Sequence, residues 1–171
     1  SKFFNRAFFV GKRIRTETRI GAGAVSVGFA ACELGRQIFG SLAGKGVLLM
    51  GAGKIGERIV THLVAQELGH LFIANRNRER ADALQAKLSG EVLALSDALS
   101  ALDKVDIVMS SLAVASPFWK KADLEPYLSH RDRPLFMIDV SVPRSLDPAL
   151  AELDKVYLYN IDDLEAAIFR N

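Results

Sequence analysis

The stretch Gly46–Arg80, GVLLMGAGKIGERIVTHLVAQELGHLFIANRNRER, constrains the fold more than any other part of the chain. A short apolar run, Val47-Leu48-Leu49-Met50, ends in the turn Gly51-Ala52-Gly53-Lys54-Ile55-Gly56. Apolar residues then recur at Ile59, Val60, Leu63 and Val64, the spacing of a helix with one buried face. A second apolar run, Leu71-Phe72-Ile73-Ala74, leads into Asn75-Arg76-Asn77-Arg78. The order is strand, glycine turn, helix, strand.

Each glycine has its own use in that setting. Gly51 allows the tight turn, Gly53 lets the backbone approach a pyrophosphate, and Gly56 lets the helix pack closely on the strand. A helix starting near Lys54 points free N–H groups and its positive dipole end toward phosphate. A bare GxGxxG is common, and a purely structural glycine turn is the alternative. The flanking strands supply the context that favours a dinucleotide. Gly51, Ala52, Gly53, Lys54, Ile55 and Gly56 are therefore the candidate pyrophosphate cradle.

The end of the second strand selects the cofactor. NAD-binding units place Asp or Glu there, about 20 residues past the turn, to hold the ribose 2′-hydroxyl. Here Asn75, Arg76 and Asn77 stand in that place, and no carboxylate follows until Glu79. A guanidinium pairs with phosphate oxygens and stacks on adenine, whereas an acid repels a 2′-phosphate. NADP is therefore expected over NAD. The alternative is that Arg76, Arg78 and Arg80 form a solvated helix start.

The rest of the chain alternates in the same manner. Gly21–Ser41 reads as a helix from about Ala24, with Val25, Phe29, Cys32 or Leu34, and Ile38 or Phe39 on one face. Its small residues Ala24, Ser26, Gly28, Ala30 and Ala31 permit close approach of another element. A helix at Arg78–Leu88, a strand at Glu91–Leu95, a short helix capped by Ser96 and running to Leu102, and a strand at Val105–Ser110 follow. Val114–Arg133, with Pro117, Trp119 and Pro126, reads as irregular or weakly helical. Strands at Leu135–Val140 and Val156–Asn160 flank a short helix that starts at Asp147-Pro148. Asp162–Arg170 begins a last helix. This alternation predicts an α/β fold: a Rossmann-type, doubly wound parallel sheet in three α/β/α layers, with an N-terminal helix. Ligands of such sheets bind beyond the carboxyl ends of the strands. Ser110, Ser111 and Leu112 should therefore open over the cofactor. Asp139, near the end of the fifth strand, is a further candidate; the alternative is an acid that caps a loop or pairs with Arg144.

A chain of 171 residues suffices for one domain with a proper core. Half of it is apolar, yet no run reaches the length of a membrane span. A net charge of +2 gives no bulk-electrostatic pull toward nucleic acid. The single cysteine excludes an internal disulfide and fits a reducing, cytoplasmic compartment. Cys32 sits mid-helix among apolar neighbours, which reads as buried rather than nucleophilic. His62 is expected on a helix surface, His70 and His130 in turns, and none has a triad-like companion. No histidine–cysteine cluster points to a metal. Ser1–Gly11 carries Phe3, Phe4, Phe8, Phe9 and Val10 in a roughly helical pattern that needs a partner surface. The basic start can imitate a transit peptide, but it runs on without a cleavage-like break, and a piece cut from a longer protein is the preferred reading.

The combination resembles the NADPH-binding domain of the glutamyl-tRNA reductase family. The residues that carry the resemblance are Gly11-Lys12-Arg13-Ile14-Arg15-Thr16-Glu17-Thr18, Gly23-Ala24-Val25-Ser26-Val27 with Glu33-Leu34, and Gly51–Gly56. They continue in Ala74-Asn75-Arg76, Asp106-Ile107-Val108 with Ser110-Ser111, Ile138-Asp139-Val140 with Val142-Pro143-Arg144, and Tyr159 with Ile161-Asp162-Asp163-Leu164. The match covers nearly the whole chain.

The resemblance implies an enzyme that reduces glutamyl-tRNA to glutamate-1-semialdehyde at the start of tetrapyrrole synthesis. In that family an amino-terminal domain supplies the cysteine that takes the glutamyl group as a thioester, and NADPH delivers hydride to it. A carboxyl-terminal helical domain makes a homodimer. On this account residues 1–20 are a linker remnant from the catalytic domain, 21–160 the NADP-binding domain, and 161–171 the start of a truncated helix. No catalytic residue would lie in this piece. The resemblance places Asn75 and Arg76 on the 2′-phosphate, Ser110 and Ser111 on the nicotinamide side, and Asp139 facing the catalytic domain. Leu112 stands where Thr is expected, and Asn160 where Asp is usual. The rival readings are a shikimate-dehydrogenase-like NADP oxidoreductase domain and a non-catalytic nucleotide-sensing module.

Overall fold

The computed structural model describes residues 23–170. Expectations for the phenylalanine-rich start and for the basic segment after it lie outside the described residues. The elements in chain order are α1 (Gly23–Phe39), β1 (Val47–Met50), α2 (Lys54–Val64), β2 (Leu71–Asn75), α3 (Arg78–Leu88) and β3 (Glu91–Ala94). A 3-10 helix (Leu95–Lys104), β4 (Ile107–Ser110), α4 (Lys121–Leu128), β5 (Leu135–Asp139), a second 3-10 turn (Pro148–Glu152), β6 (Val156–Asn160) and α5 (Ile161–Arg170) complete the chain.

The strands form a six-stranded sheet in the order β3-β2-β1-β4-β5-β6, and every pairing is parallel. This is the doubly wound order of the dinucleotide-binding folds. The direction of winding reverses between β1 and β4, so a crevice opens where Met50 pairs with Ser110. Central strands β1, β4 and β5 are buried along their whole length, as both-face coverage by helices requires. Edge strand β3 is only partly covered.

Two apolar layers hold the sheet. On one side α1, α2 and α5 pack over Leu49, Ile73, Met109, Phe136 and Ile138. On the other, the Leu95–Lys104 helix and the segment around Trp119 cover Leu48, Met50, Val108 and Met137. Phe136 is fully buried and meets Tyr159 edge-on, with ring centroids 5.6 Å apart.

The amino edge of the sheet is clamped by Asp106. Its carboxylate accepts the Gly46 N–H at 3.1 Å and Arg133 Nε at 2.8 Å. Arg131 lies 3.8 Å from the same carboxylate and donates to the carbonyls of Leu102, Val105 and Pro134. Burial, aided by the Arg133 charge, pulls the Arg131 guanidinium below its usual range, while Asp106 and Asp103 offset part of that pull.

Several elements differ from the sequence reading. The helix after β3 is 3-10 and starts past Ala94 without a side-chain cap, so Ser96 is an interior residue rather than the cap. Strand β4 starts at Ile107, because Asp106 is engaged in the clamp, and β5 ends at Asp139, whose carboxylate turns back into the next loop. The segment after β4 contains a real helix, α4, started by the Asp123 carboxylate accepting the Lys120 N–H at 2.8 Å. Among the described residues of α1 the buried apolar side chains are Val27, Ala30, Ala31, Cys32 and Leu34, while Phe29 is 60% exposed. Val27, Ala31 and Leu34 follow the helical repeat, which turns Phe29 to the opposite side. His62 lies on the α2 surface as expected, partly covered because Gly28 leaves room for its ring.

Phe136→Ala should therefore cost about 3–5 kcal/mol in urea unfolding, whereas Phe29→Ala should stay within about 0.5 kcal/mol. Equal losses would contradict the packing described.

Candidate functional site

The Gly51–Gly56 turn sits at the carboxyl end of β1, at the switch point. Gly51 has φ +93, a conformation that favours glycine. Its N–H donates to the Ala74 carbonyl at 2.8 Å, which ties the turn to β2. Gly53 caps α2 in an extended conformation and contributes no side chain. The first-turn N–H groups of α2 have no carbonyl within the helix and remain available as donors at its start.

All three glycines face one residue. A Cβ on Gly51 would strike the Ser111 carbonyl, and one on Gly53 would strike Ser111 Oγ. A Cβ on Gly56 would lie 2.7 Å from Ser111 Cβ. The peptide after β4 thus fills the space that the missing side chains leave. The sequence reading assigned Gly53 to the ligand and Gly56 to helix–strand packing; here both also accommodate Ser111.

Arg76 extends from the end of β2, and its Nη1 lies 3.5 Å from the Ala113 carbonyl. β2 and β4 flank β1, so this side chain reaches across the carboxyl end of β1 to get there. At that distance the contact is weak. Arg76 is exposed and makes no ion pair among the described residues, whereas Arg78 pairs with Asp82 at 3.0 Å. Asn75 donates to the Asn77 carbonyl at 3.2 Å, and the Asn77 side chain caps α3 by accepting the Arg80 N–H at 3.1 Å. Lys54 and Ile55 are exposed at the start of α2, and Ala52 is half-buried beside them.

The residues beyond β4 and β5 are more deeply set. Ser110 is fully buried, with its hydroxyl 2.5 Å from that of Ser145. Ser111 is half-buried against the glycine turn, and Leu112 is buried with its N–H donated to Ser141 Oγ at 2.9 Å. Asp139 is 1% exposed. Its carboxylate accepts from the N–H groups of Ser141 (3.0 Å), Ser145 (2.9 Å) and Leu146 (2.9 Å), and from the Ser145 hydroxyl at 2.9 Å. Of the alternatives for this acid, the geometry corresponds to the loop cap. Arg144 pairs with Asp162 at 3.4 Å. Ser141 and Ser145 escaped the sequence reading; the signal was a pair of small hydroxyls bracketing Val142-Pro143-Arg144 just past a strand end.

Cys32 is buried, and that burial pushes its thiol above the ordinary value despite the nearby Arg36. It is 2% exposed and belongs to the core. Among the described residues no group of three or more potential ligands could hold a metal, and no helix is long and apolar enough to cross a membrane. A cavity of about 370 Å³ between α4 and the start of β6 lies at the amino ends of the strands, away from the glycine turn.

The matching family model is that of the shikimate / quinate 5-dehydrogenases, over residues 33–167. The chain belongs to this family. A glutamyl-tRNA reductase of Syntrophobacter fumaroxidans is 44% identical to it over 172 residues, covering 100% of this chain and 37% of that protein. The glutamyl-tRNA reductase structure from Methanopyrus kandleri superposes with a TM-score of 0.80 and 36% identity, covering 94% of this chain and 41% of that one. The nucleotide-binding domain of glutamyl-tRNA reductase from Thermoplasma volcanium gives a TM-score of 0.66 at 19% identity, over 86% of this chain and 94% of that domain, and shows the fold. The likeness to glutamyl-tRNA reductase read from the motifs thus runs the length of the chain, which spans well under half of its full-length relatives. Members of this dehydrogenase family with this fold bind a nicotinamide nucleotide.

The arrangement fits such a cofactor. Gly51 and Gly53 carry no side chain at the switch point, α2 begins there with first-turn amides free of helical acceptors, and Arg76 is exposed with no ion pair among the described residues.

Asp139→Ala would leave four donors without an acceptor and should cost about 3 kcal/mol of stability, measured by urea unfolding. Cys32 should resist thiol reagents at pH 8 in the folded chain and react promptly in denaturant. Its raised thiol pKa means the folded state keeps the proton longer, so this contribution to stability is present at neutral pH and lost as pH rises past the ordinary thiol range.

Proposed function

We propose that the chain is the NADPH-binding part of a glutamyl-tRNA reductase. The end-to-end 44% identity carries the reading. The glycine turn at the switch point and the lack of an acid beside Arg76 support it.

In this reading Gly51 to Gly56 and the α2 amides hold the pyrophosphate. Arg76, released from its weak contact with Ala113, pairs with the 2′-phosphate, and Asn75 and Asn77 shape the same rim. Ser110, Ser111, Leu112 and Asp139 form or support the nicotinamide side. NADPH, when bound, supplies hydride. The protein's part is to orient it and to present the nicotinamide to the neighbouring domain. The whole enzyme reduces glutamyl-tRNA to glutamate-1-semialdehyde for tetrapyrrole synthesis, in the cytoplasm and as a homodimer. The thioester-forming cysteine of that enzyme belongs to another of its domains. Cys32 cannot substitute for that cysteine, because it is buried in the α1 face away from the crevice. This chain alone therefore binds cofactor without turning over glutamyl-tRNA.

Calorimetric titration tests the reading. NADPH should bind at least about tenfold more tightly than NADH, since charge-assisted pairing to the 2′-phosphate is available only to the former. Arg76→Ala should weaken NADPH about 10–100-fold and leave NADH within about threefold. Tighter binding of NADH than of NADPH, or reductase turnover by this chain alone, would overturn it.

A further inference from the structure

The buried hydroxyls beyond β5 form a chain whose direction is fixed. All four acceptor positions of the Asp139 carboxylate are taken, two on each oxygen. Ser145 must therefore give its proton to Asp139, which leaves its oxygen to accept. It then accepts from the Ser110 hydroxyl at 2.5 Å and from the Ser141 hydroxyl at 3.0 Å. Ser141, with its proton so used, offers a lone pair to the Leu112 N–H at 2.9 Å. Ser141 Oγ also lies 3.5 Å from the Ser110 carbonyl, a longer contact than the one to Ser145, and reversing the Ser110–Ser145 link would leave the buried Ser110 proton without an acceptor.

The chain ends on the peptide that abuts the glycine turn. The position of a Gly51 Cβ is 3.1 Å from the Leu112 nitrogen, and Ser111 fills the space opposite all three glycines. Ser111 N–H also donates to the Met50 carbonyl at 2.8 Å. The segment beyond is pinned to the same loop, with Phe118 N–H on the Ser145 carbonyl at 2.6 Å and Asp147 N–H on the Trp119 carbonyl at 3.0 Å. None of the relay side chains is exposed: Ser110 and Ser145 are 0%, Asp139 1% and Ser141 5% accessible.

We infer that Asp139, Ser145 and Ser141 are positioning residues that set the Ser111–Leu112 peptide against the glycine turn and so tune dinucleotide affinity without touching the ligand. The inference rests on the nicotinamide-nucleotide reading above. Asp139 thereby acts through Ser145 and Ser141. Because the Leu112 side chain is buried, this part of the site presents backbone, and Ser141 is the side chain that aims it.

The test uses the full chain, with calorimetry against NADPH well below the melting temperature and amide hydrogen exchange by NMR. Ser141→Ala should raise the NADPH Kd about five- to tenfold, the worth of one buried hydrogen bond. It should speed exchange at Leu112 more than at Val108 or Met109 of β4. Ser141→Thr, which keeps the hydroxyl, should return the Kd to within about twofold. Unaltered affinity in Ser141→Ala, or equal losses in the Ala and Thr variants, would overturn the relay. Should Ser141→Ala fail to fold, the unmodified chain decides: saturating NADPH should slow exchange at Leu112, and no change there overturns the inference. An unmodified chain that binds neither NADPH nor NADH removes the nicotinamide reading itself, and the relay with it. Binding that ignores Ser141→Ala removes only the relay.

Discussion

The close approach of the β1 turn to the peptide after β4 is the constraint on which the carboxyl edge depends. Adjacent parallel strands fix their backbones less than 5 Å apart, so whatever follows them must share a narrow space. Here it is shared by removing side chains from one partner. Gly51, Gly53 and Gly56 leave room that Ser111 occupies, and any Cβ on the first two would collide with that residue. The glycines thus serve two ends at once. They give the peptide after β4 its space, and they allow the sheet's two halves to close at the switch point.

That closeness has to be held in register, because the segment after β4 has little regular structure before Lys121. Buried polar groups provide the hold. Asp139 gathers the loop after β5, and Ser145 and Ser141 carry the connection to the peptide after β4. Among the described residues no buried side-chain nitrogen or oxygen lacks a partner. A fully satisfied network in a dry setting is directional in a way that apolar packing is not. At the opposite edge Asp106 does the corresponding service with Gly46, Arg131 and Arg133, so each end of the sheet's centre is fixed by one carboxylate.

How much of this was legible varied with the kind of signal. The βαβ unit at Gly46–Arg80 announces itself, because four-residue apolar runs, helical periodicity and glycine turns are local patterns. The strand alternation followed from the same local order, and the likeness to glutamyl-tRNA reductase from particular motifs such as Gly23–Val27 and Ile138–Arg144. Errors fell where partners are distant in sequence. Phe29 looked like a core residue by helical spacing, yet the α1 face is chosen by what it packs against, and Val27, Ala30, Ala31, Cys32 and Leu34 take that face. Ser96 looked like a cap, but the chain entered a 3-10 helix one residue earlier. The candidates Ser110 and Asp139 were correctly set at strand ends, whereas their burial and their links to Ser145 could not be read from spacing.

The sequence alone determined the alternation of strands and helices, the glycine turn at the end of β1, and the basic, acid-free end of β2. Each of these depends on residues within a few positions of one another, where propensity and periodicity act directly. Tertiary structure decided which strand lies beside β1, which residue fills the space over the glycines, and which hydroxyls the Asp139 carboxylate organises. Those contacts join residues tens of positions apart, and only the closed parallel sheet brings them within hydrogen-bonding distance.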